Sequence, residues 1–119
     1  MLMKKVLIVD DEAEIVELIV MVLDDGQVQL LTAYDGEQAM RIIKEQRPDV
    51  VLTDVMMPRL DGRELCKMVK SDPSISDTKV ILMSAIHRLD KGDCPADGLI
   101  HKPFDIVAIV EAVHKFLDQ

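Results

Sequence analysis

The residues of this sequence that could do chemistry follow the ends of apolar segments. Asp10 and Asp11 come directly after the apolar residues 6–9, and Asp54 comes directly after residues 50–53. Three carboxylates brought to one place would repel one another unless a cation lay among them, and a hard divalent ion with oxygen ligands suits such a group. The three aspartates therefore predict a Mg²⁺ site, with Mn²⁺ as the alternative ion.

The same pattern allows phosphoryl chemistry. Asp54 could act as a nucleophile, because carboxylates attack phosphorus when an aspartyl phosphate forms. Ser84 and Lys102 follow two further apolar segments, and a hydroxyl or ammonium group can contact phosphoryl oxygens as charge develops on them. Taken singly, Ser84 is more often a turn residue and Lys102 a solvated charge. Their coincidence with the aspartates predicts a phosphoryl-acceptor site.

The elements that must position these residues alternate along the chain. Strands are predicted at residues 4–9, 28–33, 50–53, 79–83 and 98–101. Helices are predicted from about residue 12 to 23, from Asp35, from Asp61 and from Asp105, with capping-box patterns at Asp35/Gln38 and Asp61/Glu64. The helical period predicts that Leu65, Met68 and Val69 are buried.

This alternation predicts one α/β domain over residues 1–119, with a parallel sheet, right-handed crossovers and helices on both faces. All strands of a parallel sheet run the same way, so their C-terminal ends share an edge, where ligands bind. The topology therefore explains how residues that are far apart in the sequence could form one site.

Composition excludes several classes of function. A net charge of −8 and a pI near 4.7 argue against nucleic-acid binding, which needs a basic face. No apolar run is long enough to span a bilayer or to form a signal peptide. The two cysteines, Cys66 and Cys94, have no metal-ligand spacing and suit a reducing compartment. We therefore expect a cytoplasmic protein whose partner is another protein.

Four segments together carry a resemblance to a known family. They are the run from Val6 to Glu12, the run Asp54-Val55-Met56-Met57-Pro58 with Asp61-Gly62, the pair Ser84-Ala85, and Lys102-Pro103-Phe104. In this combination the chain resembles, over essentially its whole length, the receiver domain of bacterial response regulators. The resemblance implies a flavodoxin-like, doubly wound five-stranded parallel sheet in the order 2-1-3-4-5.

The resemblance also implies a role for each site residue. Asp54 would be the phosphorylated aspartate. Asp10, Asp11 and Asp54, with the backbone carbonyl of Met56, would bind Mg²⁺. Ser84 would follow the phosphoryl group, and Lys102, in a Lys-Pro bond that is commonly cis in the family, would be its counter-ion.

Such a domain is a switch more than an enzyme, since it catalyses only its own phosphorylation and dephosphorylation. Its phosphodonor would be a sensor histidine kinase or a phosphotransfer protein. The phosphorylated form would act on a downstream protein or a fused output domain.

Two features depart from the family pattern. Leu99 stands where the family usually carries a switching Tyr or Phe, so activation must be transmitted differently. Lys102 follows Ser84 by only 18 positions (102 − 84), and Gly92 and Pro95 interrupt the helical period between them. We therefore expect the fourth helix, between the fourth and fifth strands, to be short or irregular, and dimerisation stays open.

Three other functions would need features that can be checked in the sequence. An aspartate-nucleophile phosphatase would need an acid/base aspartate two residues after Asp54, where this chain has Met56. A flavodoxin-type cofactor module would need a glycine- and hydroxyl-rich loop after the first strand, where residues 10–12 are acidic. A receiver that binds proteins without being phosphorylated is the remaining alternative.

Overall fold

The computed structural model of the chain describes residues 3–85, 94–103 and 105–118. Within these residues the elements, in order, are β1 (Lys4–Val9), α1 (Ala13–Leu23), β2 (Val28–Ala33), α2 (Gly36–Gln46), β3 (Val50–Asp54), α3 (Gly62–Ser71), β4 (Lys79–Ser84), β5 (Gly98–His101) and α4 (Ile106–Leu117). The fourth helix predicted between β4 and β5 falls mainly on residues 86–93, which lie outside the described residues, so α4 denotes the C-terminal helix.

The five strands form one sheet in the order β2-β1-β3-β4-β5, and every neighbouring pair is parallel. Both features confirm the prediction. Because all strands point the same way, the residues that follow β1, β3, β4 and β5 lie along one edge of the sheet. Among the described residues no helix combines the length and apolar character needed to cross a membrane.

Successive residues of each central strand supply opposite faces of the sheet. Leu7 and Val9 of β1 pack on the side of α2 and α3, whereas Val6 and Ile8 pack on the side of α1 and α4. The central strand β3 is buried throughout. Two apolar layers therefore enclose the sheet, and its strand ends are the part left for polar chemistry.

Aspartate side chains cap the N-termini of α2, α3 and α4. The side chain of Asp61 accepts hydrogen bonds from Arg63 N and Glu64 N, and the Glu64 side chain accepts one from Asp61 N, which confirms the predicted capping box. Asp35 caps α2 by accepting from Gln38 N. The Gln38 side chain accepts from Tyr34 N at 2.8 Å instead of from Asp35 N, so the predicted reciprocal pair is only half present.

The prediction of a buried Met68 is wrong. Its side chain is 41% exposed, whereas Cys66 is fully buried beside Leu65 and Val69. The buried stripe of α3 therefore runs along Leu65, Cys66 and Val69, and Met68 lies at its margin.

The start of β5 is anchored to β4 and α3 through one carboxylate. Asp97 Oδ2 accepts a hydrogen bond from Val80 N at 2.8 Å and lies 2.7 Å from Lys70 Nζ. Asp97 N in turn donates to Val80 O at 2.8 Å. The last described segment before β5 is thus held on two sides.

Asp97→Ala should lower the free energy of unfolding by about 2 kcal/mol, because Val80 N and the ammonium group of Lys70 both lose an acceptor in a half-buried place. Urea unfolding followed by circular dichroism measures this. The exposed Asp118 offers a matched control, since Asp118→Ala should change stability by less than about 0.5 kcal/mol. Equal effects of the two substitutions would contradict the anchoring role of Asp97.

Candidate functional site

Asp10 directly follows β1 and is fully buried. Its N–H donates to Ala33 O at 3.2 Å, and its Oδ1 accepts from Glu12 N at 2.9 Å. The side chain is 0% exposed, whereas the next residue, Asp11, is exposed. The turn that follows β1 therefore directs one carboxylate inward and leaves its neighbour at the surface.

Asp54 is the last residue of β3 and is only 7% exposed. Its backbone is held on both sides, since Thr53 Oγ1 donates to Asp54 O at 3.0 Å and Val55 N donates to Met83 O at 3.0 Å. The register pairs Asp54 with Met83 of β4. A carboxylate placed on a rigid central strand is well suited to a reaction that requires fixed geometry.

The structure brings the three predicted aspartates together. Asp10, Asp11 and Asp54 each offer a carboxylate oxygen, and these oxygens lie within 4.8 Å of one another. Asp10 Oδ2 is buried and accepts no hydrogen bond from any residue in the described part of the chain. A buried oxygen without a hydrogen bond, in a cluster of hard oxygen donors, is the environment that a Mg²⁺ or Mn²⁺ ion fits.

Burial raises the pKa of the Asp10 carboxyl to about 6. The negative charges of Asp54 and Asp11 act in the same direction, whereas the hydrogen bond from Glu12 N and the positive charge of Lys102 oppose it. The carboxylates thus repel one another in the metal-free chain, and bringing Asp10 into the site in its charged form costs free energy.

Lys102 supplies the positive charge of the site. Its Nζ lies 3.1 Å from Asp54 Oδ1 and 3.7 Å from Asp10 Oδ2. Partial burial alone would lower the pKa of this ammonium group, but the hydrogen bond to Asp54 and the nearby carboxylates outweigh burial, and the pKa is raised. Lys102 therefore stays charged and faces the predicted nucleophile.

The backbone around Lys102 links two strand ends. Lys102 N donates to Ser84 O at 2.7 Å, and the Lys102–Pro103 peptide bond is cis, as the resemblance implied. Ser84 is buried at the end of β4. Met56 lies just after β3 with its side chain 63% exposed. The parts assigned to the Ser84 hydroxyl and the Met56 carbonyl stay predictions.

Two glycines make close contacts near this edge of the sheet, and of the two, Gly62 is the one that directly contacts a residue of the site. An added Cβ at Gly62 would meet the backbone of Asp54, and one at Gly36 would meet Leu60. The sequence does carry a signal for both, because each glycine follows a capping aspartate at the first position of a helix. Glycine is a poor helix former, so its presence at two helix starts indicates a need for space.

The residues of this site all lie in a part of the chain that matches the model of a known protein family. The family model for the response regulator receiver domain matches residues 6–114. The chain belongs to this family. It is a receiver domain of the kind found in two-component response regulators.

Over the aligned region, about a third of the residues of curated relatives are identical to those of this receiver domain. The phosphate regulon transcriptional regulatory protein PhoB of Pseudomonas aeruginosa is 37% identical over an alignment of 120 positions, which covers 92% of this chain and 51% of PhoB. The alkaline phosphatase synthesis transcriptional regulatory protein PhoP of Bacillus subtilis is 34% identical over 116 residues, covering 92% of this chain and 48% of PhoP. The chain spans about half the length of the curated relatives it matches.

Solved receiver structures match nearly the whole chain. The chemotaxis response regulator CheY4 of Vibrio cholerae superposes with a TM-score of 0.86 at 28% identity, covering 97% of this chain and 99% of that one. The signal receiver domain of a histidine kinase from Syntrophus aciditrophicus gives a TM-score of 0.86 at 30% identity, with coverages of 97% and 90%. The flavodoxin-like fold is confirmed.

In metal-free buffer, the stability that Asp10 contributes should fall as the pH rises from about 4 to about 6. The Asp10 carboxyl has a pKa of about 6 in the folded chain and an ordinary value of 3.8, so the folded state binds more protons in this window. This contribution to the free energy of unfolding is about 3 kcal/mol. It is fully present below pH 3.8 and is lost as the pH rises through about 6.

Urea unfolding in EDTA, compared between the wild type and Asp10→Asn from pH 4 to 7, isolates this contribution from that of the other carboxyl groups. The wild type should lose stability relative to the variant as the pH rises. A difference that does not vary with pH would contradict the raised pKa.

Proposed function

We propose that this receiver domain is a phosphoacceptor switch in which Asp54 takes a phosphoryl group from a phosphohistidine of a sensor histidine kinase or phosphotransfer protein. The observation that supports this best is the meeting of three carboxylates at one strand edge, with the ammonium group of Lys102 on Asp54. Because Asp54 is itself the group that is modified, the reaction requires no pocket for a small-molecule substrate.

Asp10, Asp11 and Asp54, together with the backbone carbonyl of Met56, would hold Mg²⁺, or Mn²⁺ in its place. The orphaned Oδ2 of Asp10 and the close carboxylate oxygens support this assignment. When bound, the ion neutralises carboxylate charge and stabilises negative charge that develops on the phosphoryl oxygens.

The transfer itself uses the chain's own groups. A carboxylate oxygen of Asp54 attacks phosphorus, and the bond between phosphorus and the donor's imidazole nitrogen breaks. The ring carries a proton on its other nitrogen, so it leaves with the electron pair as neutral imidazole. Lys102 then moves its contact from the Asp54 carboxylate to a phosphoryl oxygen, and the Ser84 hydroxyl donates to another. The buried, backbone-held position of Asp54 keeps the attacking oxygen in place.

The acyl phosphate would shift the population of conformers toward one whose surface binds the output partner. Leu99, in β5, pairs with Leu82 and packs against the α2/α3 side of the core. It has no hydroxyl to exchange hydrogen bonds, so packing contacts would transmit the change. With a net charge of −8, this domain would act on a downstream protein or a fused output domain, and not on DNA directly.

Intact mass spectrometry after incubation with acetyl phosphate tests the proposal. We expect a gain of one phosphoryl group with Mg²⁺ and none with EDTA. Since Mn²⁺ shares the ligand preference, it should substitute for Mg²⁺. No gain with either ion would make this a receiver that binds proteins without being phosphorylated, which is the alternative that Leu99 favours.

A further inference from the structure

The segment between β3 and α3, residues 55–61, is held at both of its ends. Gly62 N donates to Val55 O at 2.9 Å, which closes the segment into a loop, and Val55 N donates to Met83 O. Met57 is buried in the core on the α2/α3 side. We call this segment the β3–α3 loop; it carries the Met56 carbonyl assigned above to the metal.

Leu60, near the end of the β3–α3 loop, lies against Gly36, the first residue of α2. An added Cβ at Gly36 would lie 2.5 Å from Leu60 O, 2.7 Å from Leu60 Cβ and 3.0 Å from Leu60 Cδ2. Gly36 does not have the positive φ that favours glycine. Glycine is therefore needed here for space, since the contact it makes is with the backbone of the loop as well as with a side chain.

The loop has little freedom to give way. Leu60 N donates to Pro58 O at 2.9 Å, and Arg59 between them has a φ of 71°, a conformation that costs free energy for a residue with a side chain. Leu60 lies two residues before Gly62, and Gly62 N donates to the Val55 carbonyl of the peptide that leads into Met56, so a displacement of Leu60 would reach Met56 through this hydrogen bond.

We propose that Gly36 is a positioning residue for the metal and phosphoryl site, which acts through Leu60 by setting where the β3–α3 loop and its Met56 carbonyl lie. The inference rests on the proposed function. It assigns a part in the site to α2, an element that contributes none of the charged groups.

Gly36→Ala should weaken Mg²⁺ binding roughly 10-fold, the size of effect seen when residues that support metal ligands are changed. The dissociation constant for MgCl₂ is measured by isothermal titration calorimetry, and the rate of phosphorylation by acetyl phosphate should fall with it. Urea unfolding of each variant records its stability.

Gly98→Ala provides the matched control. Its added Cβ would lie 3.2 Å from Phe116 Cε2 and 3.4 Å from Ile81 Cγ1, so it also crowds the core, but at the start of β5 and on no residue of the β3–α3 loop. We expect Gly98→Ala to keep wild-type Mg²⁺ affinity, whatever the direction of its effect on stability.

Leu60→Ala makes the opposite change and serves if Gly36→Ala does not fold. It removes the Leu60 side chain beyond Cβ, including the Cδ2 atom that lies toward Gly36, so the loop is held less firmly and Mg²⁺ binding should again weaken. Its control is Ile42→Ala, which shortens another partly buried side chain of the same core and should leave Mg²⁺ affinity unchanged.

Wild-type Mg²⁺ affinity in both Gly36→Ala and Leu60→Ala would overturn the positioning role, and so would an equal loss of affinity in Gly98→Ala and Ile42→Ala. If the wild type bound no Mg²⁺, the proposed function and this inference would fail together. If the wild type bound Mg²⁺ but took no phosphoryl group, only the proposed function would fail, and the affinities would still decide the part of Gly36.

Discussion

Asp54→Ala is expected to take up a phosphoryl group from acetyl phosphate at least about 100-fold more slowly than the wild type, because the substitution removes the nucleophile itself. Asp54 is the carboxylate that the structure places at the end of the rigid central strand with Lys102 3.1 Å away. Intact mass measured over time in the presence of Mg²⁺ gives both rates.

Asp118→Ala is the control for this experiment, since it removes an exposed aspartate outside the site and should be phosphorylated at the wild-type rate. Peptide mapping of the wild-type product should place the phosphoryl group on the peptide that contains Asp54. Undiminished phosphorylation of Asp54→Ala would mean that another residue is the acceptor.

The positions of the charged groups could be predicted because they follow from strand ends. Apolar runs mark the strands, parallel strands bring their C-terminal ends to one edge, and Asp10, Asp54 and Lys102 follow such runs. The structure confirms that these three come together. What each does in the reaction was implied by the family resemblance and is carried forward as a proposal.

Pairwise geometry could not be predicted, because it depends on distances that no spacing encodes. The sequence did not indicate that Lys102 would pair with Asp54 in the metal-free chain, or that Asp10 Oδ2 would be buried without a hydrogen bond. Nor did it indicate that Gly36 would meet Leu60, since that contact depends on how the start of α2 packs against the β3–α3 loop.

The two wrong details, the hydrogen-bond partner of Gln38 and the burial of Met68, also depend on tertiary packing. The capping-box pattern predicts that the Gln38 side chain accepts from Asp35 N, but the path of the chain into α2 presents Tyr34 N to it instead. Met68 fits an apolar spacing with Leu65, but the direction from which β4 and α2 pack on α3 sets which stripe is buried. Local patterns thus predicted the elements, and tertiary packing decided their details.

Asp10 shows how the function proposed here competes with stability. A buried carboxylate beside two others disfavours folding of the metal-free chain, and the raised pKa expresses that cost. The same charge would be an asset once a divalent ion is bound, because the ion supplies the missing partner of Oδ2. One substitution should therefore change stability and metal binding in opposite directions.

Asp10→Asn should raise the free energy of unfolding of the metal-free protein at pH 7 by about 1–3 kcal/mol, since it removes a buried charge and keeps the shape of the side chain. Loss of support for a metal ligand costs about 10–100-fold in affinity, so loss of a ligand should weaken Mg²⁺ binding by at least about 100-fold. Urea unfolding with EDTA and with saturating MgCl₂ measures both effects in one experiment.

With Mg²⁺ present the difference should close, because only the wild type gains from binding, by about 2.7 kcal/mol when Mg²⁺ is at 100 times its dissociation constant. Asp11→Asn is the matched control: its carboxylate is exposed and contributes least to the raised pKa of Asp10, so the variant should bind Mg²⁺ more weakly while gaining much less stability in EDTA than Asp10→Asn. If Asp10→Asn were instead less stable than the wild type in EDTA, the ion pair between Asp10 and Lys102 would outweigh the cost of the buried charge. If it bound Mg²⁺ as tightly as the wild type, Asp10 would not be a ligand, and the acidic cluster would owe its arrangement to something other than a metal.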